Sequence, residues 1–244
     1  MHEIQSPLRY PGGKTRAIKK ILSIIPHTFS EFREPFVGGG SVFLAIKQYI
    51  SDHIPFCIND LNYDLFCFWK YAQEKNASLY EAVLNVKKTK TNGRELFKYY
   101  TNSAVWTDFE RAVRFFVLNR ITFSGTVDSG GYSEKAFTGR FTDSSVERIK
   151  PLQTMLHGIS ILNKSYEDII FKNGNNVFIF CDPPYYRQAK SRLYGKNGIL
   201  HTTFNHEKFA QDMKKCRHTW LITLDNTVQL PLGQAQWLVN SYTG

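Results

Sequence analysis

Apolar positions recur at helical spacing from Thr15 to Ile25, where Ile18, Ile21, Leu22 and Ile25 share one face, and this predicts a helix. Glu31–Val37 reads as a strand running into Gly38-Gly39-Gly40, Ser41–Ile50 as a helix, and Ile54–Ile58 as a short buried strand ending at Asn59-Asp60. The stretch from Tyr63 to Arg120 is mainly helical in pattern, most strongly over Phe109–Arg120. Residues 121–142 keep no period and are dominated by Gly, Ser, Thr and Phe. Strand-like runs return at Ile159–Leu162, Val177–Cys181 and Trp220–Leu224. Strand–helix alternation at both ends, around a helical and loop-rich middle, predicts an α/β sheet domain with an insertion. Residues 1–63 and 156–244 are expected to form the sheet domain, and residues 64–155 the insertion. Open α/β sheets bind ligands beyond the carboxyl ends of their strands. Three of the predicted strands end in polar or glycine motifs: Gly38-Gly39-Gly40, Asn59-Asp60 and Asp182-Pro183-Pro184-Tyr185.

Composition narrows the class. Of 244 residues, 42% are hydrophobic and 21% charged, which suits a packed core and not general disorder. No stretch approaches the roughly 18 apolar residues of a membrane helix, and the amino terminus lacks a signal-peptide layout, so a cytoplasmic protein without membrane contact is expected. The four cysteines form no CxxC pair and no Cys/His cluster, so neither a metal site nor a disulfide framework is expected. A formal net charge of +10 with 15% aromatic residues points to a polyanionic partner, and exposed rings beside basic groups suit nucleic acid.

The motifs carry chemistry of different sharpness. Gly12-Gly13-Lys14-Thr15 ends like a phosphate-binding loop, but Leu8 stands where the first glycine belongs and no strand precedes it. It reads as a Pro-Gly turn, or as a ligand loop in which Lys14 meets a carboxylate or phosphate. Glu34-Pro35-Phe36-Val37-Gly38-Gly39-Gly40-Ser41 is a strand, a turn and a helix start, where glycines let backbone approach a ligand. Phe43 occupies the third position of a dinucleotide fingerprint, so that fold is weakly supported. Asp60, about 20 residues on, can accept from both hydroxyls of a ribose; with the glycine turn it implies an adenosine-containing ligand. In Asp182-Pro183-Pro184-Tyr185 a carboxylate and a rigid carbonyl form two acceptors that match the two donors of an exocyclic amino group. The aromatic Tyr185 can stack on the ring that bears it.

Taken in order, Leu8-Arg9-Tyr10-Pro11-Gly12-Gly13-Lys14, Glu34 to Leu44, Asn59-Asp60, Leu118-Asn119-Arg120 and Asp182-Pro183-Pro184-Tyr185 resemble the Dam-like DNA adenine-N6 methyltransferases of the α order, over roughly residues 6 to 226. The resemblance implies a Rossmann-like S-adenosylmethionine-dependent methyltransferase sheet with a target-recognition insertion. It implies that Tyr10, Lys14, Glu34, Pro35, Phe36, Gly38, Gly39, Gly40, Asp60, Ser165, Tyr166 and Asp182 bind the cofactor. Asp182, Pro183, Pro184 and Tyr185 would be the catalytic set, and Arg9, Asn119, Arg120, Phe123 and Ser124 would meet duplex DNA. Phe123 would fill the space left by a flipped base, or else be a core ring. Lys87, Lys88, Lys90, Arg94 and Lys98, with Arg187, Lys190, Arg192 and Lys196, could meet phosphates, or be solvated. Dam enzymes that read GATC carry Asn-Gly after the aromatic and then an arginine; here Ser124-Gly125 and Asp128 stand there, and an aspartate cannot give guanine a bidentate donor pair. Soon after Trp237-Leu238-Val239 the chain ends, where the family usually continues through another strand. A monomer is expected, with a cognate restriction endonuclease as a candidate partner. The rival functions are an amino-group methyltransferase acting on RNA or on protein glutamine, and a non-catalytic DNA-binding relative.

Overall fold

A computed structural model describes residues 4–10, 13–50, 54–102, 105–127, 130–184 and 204–224, together with the backbone of 238–240. In chain order the elements are α1 (Ile18–Leu22), β1 (Glu31–Glu34), α2 (Ser41–Tyr49), β2 (Phe56–Asn59), α3 (Tyr63–Glu74), α4 (Asn76–Thr89), α5 (Gly93–Asn102) and α6 (Asp108–Ile121). They continue with α7 (Glu134–Arg140), α8 (Asp143–Glu147), α9 (Leu152–Met155), β3 (Ser160–Leu162), α10 (Tyr166–Ile170), β4 (Val177–Cys181), α11 (His206–Lys215), β5 (Thr219–Leu224) and β6 (Leu238–Asn240). Among the described residues no helix is long and apolar enough to cross a membrane.

All five strand pairings are parallel, in the order β3-β2-β1-β4-β5-β6. A parallel sheet is covered on both faces, so its central strand must be apolar on both sides. Strand β4 shows this directly. Phe178 and Phe180 join the core beneath α1, α2 and α3, while Val177, Ile179 and Cys181 join Phe209, Ala210 and Met213 of α11 on the other face. The α/β sheet expected from the alternating pattern is the observed fold.

Helices α3 to α9 lie between β2 and β3 in sequence, yet they have no core of their own. Phe68 and Trp69 of α3, Phe115 and Phe116 of α6, and Leu152 share one continuous buried cluster with Phe32, Phe43 and Phe178 of the sheet domain. Asp64 binds Arg111 at 2.7 Å and Arg114 at 2.6 Å, tying α3 to α6. The start of α6 is set by a capping box in which Thr107 accepts from the Glu110 amide and Glu110 Oε2 accepts from the Thr107 amide at 2.8 Å.

Some boundaries differ from the pattern. The first helix begins as a 3-10 turn at Lys14–Ala17 and its α portion stops at Leu22. Strand β1 ends at Glu34, because Pro35 brings no N–H to a sheet ladder and Gly38 takes a φ of 47°. Residues 121–142 are more regular than their composition suggests: Thr122 pairs with Tyr132 in an isolated bridge, and α7 follows. The short β6 pairs with β5 beyond the last strand-like run.

One buried charge fastens β1 to the far face. Arg33 is fully buried and binds Glu31 at 2.6 and 3.0 Å. It also donates to the carbonyls of Ile169, Lys172 and Asn173, which close the carboxyl end of α10. Arg33→Ala strands these acceptors, and we expect it to lower unfolding free energy by about 3 kcal/mol or more, measured by urea denaturation.

Candidate active site

Strands β1, β2 and β4 all deliver their carboxyl ends to one cavity of about 310 Å³, lined among others by Lys14, Glu34, Asp60, Tyr166 and Asp182. In this strand order β1 and β4 are neighbours whose connections leave in opposite directions, which opens a crevice at their carboxyl ends.

At the end of β4, Asp182 is held from two sides. Lys14 Nζ donates to Oδ1 and Oδ2 at 2.7 and 2.6 Å, and the Thr223 hydroxyl donates to Oδ1 at 2.6 Å. Lys14 is itself 4% exposed, so this ion pair is largely withdrawn from water. Pro183 and Pro184 follow on the cavity wall, with no amide hydrogens of their own. Tyr185 lies outside the described residues, as do Asp128, Arg187, Lys190, Arg192 and Lys196.

Glu34, at the end of β1, is 2% exposed, and its Oε2 has no hydrogen-bond partner among the described residues. Burial first, and then the charge of Asp182, push its carboxyl well above the usual range. At the end of β2, Asp60 Oδ2 accepts from the Gly38 amide at 3.0 Å and Oδ1 from the Asn62 amide at 2.9 Å. Burial outweighs these bonds and pushes the Asp60 carboxyl up to about 6. Asn59, just before it, donates to the carbonyls of Pro35 and Lys164 at 3.0 Å and accepts from the Lys164 amide at 2.9 Å. The loops after β1 and β3 are thereby locked to β2.

The glycine turn is pinned by rings on both sides. A β-carbon on Gly38 or Gly39 would stand 2.9 Å from Tyr10, and one on Gly40 would stand 2.6 Å from Trp69. Gly40 also takes a φ of 69°, a left-handed conformation that a side chain would strain. Trp69 Nε1 donates to the Gly38 carbonyl at 3.1 Å. Tyr10, Gly38 and Gly39 line the cavity, whereas Gly40 faces Trp69 and is absent from the wall.

The cavity's other end is aromatic. Phe36 packs on Tyr166 at 5.6 Å and on Phe204 at 5.7 Å. Tyr166 donates to Asp212 at 2.8 Å, and Lys208 caps the group through Glu167 and Asp212. Pro35, Phe36, Ser165 and Tyr166 are therefore all on this wall, joined by Phe204 and Lys208, which no motif announced.

The residues expected at DNA divide into two groups. Phe123 is 70% exposed, which removes the core-ring reading. A compact turn displays it: its amide donates to the Gly131 carbonyl at 3.1 Å, and Ser124 takes a φ of 53°. Arg9 and Ser124 line a second cavity of about 370 Å³ together with Tyr10 and Gly39, two residues that also line the first cavity. Asn119, by contrast, is fully buried, and its amide is used internally. It accepts from the Arg9 amide at 2.8 Å and donates to the carbonyls of Arg9 and Gly125 at 2.5 and 3.1 Å. Arg120 is also buried, donating to the Pro7 carbonyl and lying 5.5 Å from the Phe116 ring. These two side chains hold the Arg9 segment against the Phe123 turn and present no surface to a duplex.

A parallel sheet in this order, with an acid–Pro–Pro end and an acid two strands away facing one crevice, has the architecture of a Rossmann-like methyltransferase. The sequence profile of D12 class N6 adenine-specific DNA methyltransferases matches residues 10–237, and the chain belongs to that family. It is 23% identical to the Type II methyltransferase M1.LlaDCHI of Lactococcus lactis subsp. cremoris, over 84% of this chain and 71% of the relative. It is 28% identical to the Type II methyltransferase M.CviBI of Paramecium bursaria Chlorella virus NC1A, over 73% of this chain and 68% of the relative. The DNA adenine methylase of Escherichia coli strain K12 is 25% identical, over 73% of this chain and 64% of that protein.

Because Asn119 satisfies three backbone groups at once, Asn119→Ala leaves buried donors and acceptors without partners. We expect a loss of roughly 2–3 kcal/mol of stability. Amide exchange should accelerate around residues 122–126, as measured by hydrogen–deuterium exchange.

Proposed function

We propose that this chain transfers a methyl group from S-adenosylmethionine to the N6 amino group of an adenine flipped out of duplex DNA at a short specific sequence. The observation that carries the reading is the sharing of one cavity by Asp182-Pro183-Pro184, Asp60, Glu34 and the glycine turn. The donor set fits this cofactor. Asp60 offers carboxylate lone pairs to ribose hydroxyls, the Phe36–Tyr166–Phe204 wall offers flat apolar faces to an adenine, and Glu34 brings an unpartnered buried oxygen to a cationic ligand. Lys14 would meet the carboxylate of the methionine portion, with Tyr10, Gly38 and Gly39 shaping its bed and Gly40 closing the turn against Trp69.

S-adenosylmethionine supplies an electrophilic methyl group on a positively charged sulfur. The protein's part is to make a poor nucleophile usable. An adenine amino nitrogen delocalises its lone pair into the ring. Asp182 and the Pro183 carbonyl would accept its two N–H donors, favouring a pyramidal nitrogen and stabilising the positive charge that grows on it. Tyr185 would stack on the extruded base, and the cavity walls would hold the reacting atoms in line. Extrusion costs a few kcal/mol in unstacking and unpairing. Phe123 would refill the vacated space, Arg9 and Ser124 would approach the duplex beside it, and Asn119 and Arg120 would position that surface from beneath. Residues 64–155 would act as the target-recognition region, built onto the sheet's own core.

The protein is further proposed to be a cytoplasmic monomer. Kinship with Type II methyltransferases supports a cognate restriction endonuclease as its partner in the cell. Asp128 in place of an arginine supports a recognition sequence other than GATC.

The test is incubation with S-adenosylmethionine and unmethylated bacterial genomic DNA, followed by single-molecule mapping of N6-methyladenine. Methylation at one short motif is expected, and Asp182→Ala should abolish it while keeping the fold. A fully active Asp182→Ala protein would overturn the mechanism, and methyl transfer to RNA or peptide alone would overturn the substrate.

Asp60 adds a pH dependence. Its carboxyl, raised to about 6, is ionised above that pH and protonated below it. Only the ionised form offers full acceptor strength to the ribose hydroxyls. Calorimetric affinity for S-adenosylmethionine should therefore be level above pH 7 and fall below pH 6, by up to about tenfold per unit. Asp60→Asn should bind more weakly at neutral pH and lose that slope.

A further inference from the structure

Strand β5 is apolar and buried along Trp220, Leu221, Ile222 and Leu224, and within that run the hydroxyl of Thr223, which is 1% exposed, is the interruption. Parallel pairing of Cys181 with Ile222 brings Thr223 beside Asp182, where β4 leaves the sheet and β5 continues to Leu224 against β6. On packing grounds a valine would fit this position equally well, since the hydroxyl adds nothing to an apolar layer. Its strong contact is instead with the carboxylate: Thr223 Oγ1 lies 2.6 Å from Asp182 Oδ1, and the nearest alternative acceptor, the Cys181 carbonyl, is at 3.5 Å.

The terminal torsion of an aspartate is broad and nearly two-fold, so its two oxygens exchange places easily. Lys14 reaches both oxygens at nearly equal distances and does little to distinguish them. Thr223 does distinguish them, because it bonds Oδ1 alone. It is anchored in the sheet, whereas Lys14 sits at the end of a long flexible stem in a 3-10 turn.

We propose that Thr223 is a positioning residue for methyl transfer: its hydroxyl fixes the plane of the Asp182 carboxylate so that one oxygen is set to accept from the target amino group. The inference rests on the amino-acceptor reading of Asp182. It assigns a role to β5, which carries none of the sequence motifs. A hydroxyl that orients the acceptor matters in the transition state and leaves cofactor binding alone, so its removal should lower kcat and spare the KM for S-adenosylmethionine.

The experiment compares Thr223→Val, Thr223→Ser and Thr223→Ala with wild type in methyl transfer from labelled S-adenosylmethionine to unmethylated genomic DNA, with thermal melts as a control. Losing one hydrogen bond to a charged group predicts a kcat about tenfold lower for Thr223→Val. The KM for S-adenosylmethionine should stay within about twofold, and Thr223→Ser should recover most of the rate. Thr223→Ala should show the same split, which guards against a valine that fails to pack. Wild-type kcat in the valine or alanine variant overturns the proposal, as does a serine variant as slow as the valine. Wild-type protein that transfers no methyl group fails the functional reading itself, a result distinct from active wild type with an indifferent Thr223.

Discussion

Strands β1 and β4 are hydrogen-bonded neighbours, with Phe32 opposite Phe178, although α2 to α10 lie between them in the chain. Everything chemical in this protein depends on that one pairing. It places Glu34 and Asp182 at the same sheet edge, and it sends the connection after β1 and the connection after β4 to opposite faces. A gap follows by geometry, because no crossover can cover the carboxyl ends of both strands there. The cavity is thus a consequence of strand order, and the motifs exploit a space that the topology has already made.

The same dependence explains why the middle of the chain is fused to the sheet. Trp69 belongs to α3, yet its ring closes the underside of Gly40 and its N–H holds the Gly38 carbonyl. Asn119 belongs to α6, yet its amide bonds the Arg9 backbone just before Tyr10, whose ring covers Gly38 and Gly39 from above. The glycine turn is consequently clamped between residues of the helical region and of the amino-terminal segment. A rigid link of this kind lets a surface turn such as that of Phe123 stand in fixed relation to the cavity, through one buried side chain and without an intervening hinge.

The sequence made the strand ends legible because their residues are unusual in strands. Three glycines, an Asn-Asp pair and an acid before two prolines all break the apolar pattern at the point where the sheet stops. It also made β4 legible to the residue, since Val177–Cys181 is an unbroken run apolar on both faces. Residues whose meaning lies in a distant partner were not legible. Trp69 and Thr223 fall inside a helical stretch and a strand-like run with no motif to mark them; only three-dimensional neighbours show that one carries a glycine turn and the other a carboxylate. Arg33 is a charged residue in a strand, and nothing local reveals that the end of α10 absorbs its donors. Asn119 illustrates the converse: a polar residue in a family-like element suggests surface contact, while the structure uses every polar atom of its amide inside.

The electrostatics of the cavity follow from how unequally its acids are treated. Asp182 receives a buried lysine and a hydroxyl, and Asp60 receives two backbone amides, whereas one oxygen of Glu34 has no hydrogen-bond partner among the described residues. Burying a charge without a partner is costly, so the protein alone favours a protonated Glu34, while Asp182 keeps its ion pair with Lys14. A cationic ligand at the β1 end of the cavity would reverse the balance at Glu34, and a neutral amino group at the β4 end would meet a carboxylate already paired with Lys14. In the proposed reaction the two ends would take different guests: a positively charged small molecule beside Glu34 and Asp60, and a flat neutral amine against Asp182 and Pro183. Such a division of labour among three carboxylates within one wall is what a transfer from a cationic donor to a neutral nitrogen requires. It arises here from which strand end receives a hydrogen-bond donor and which does not.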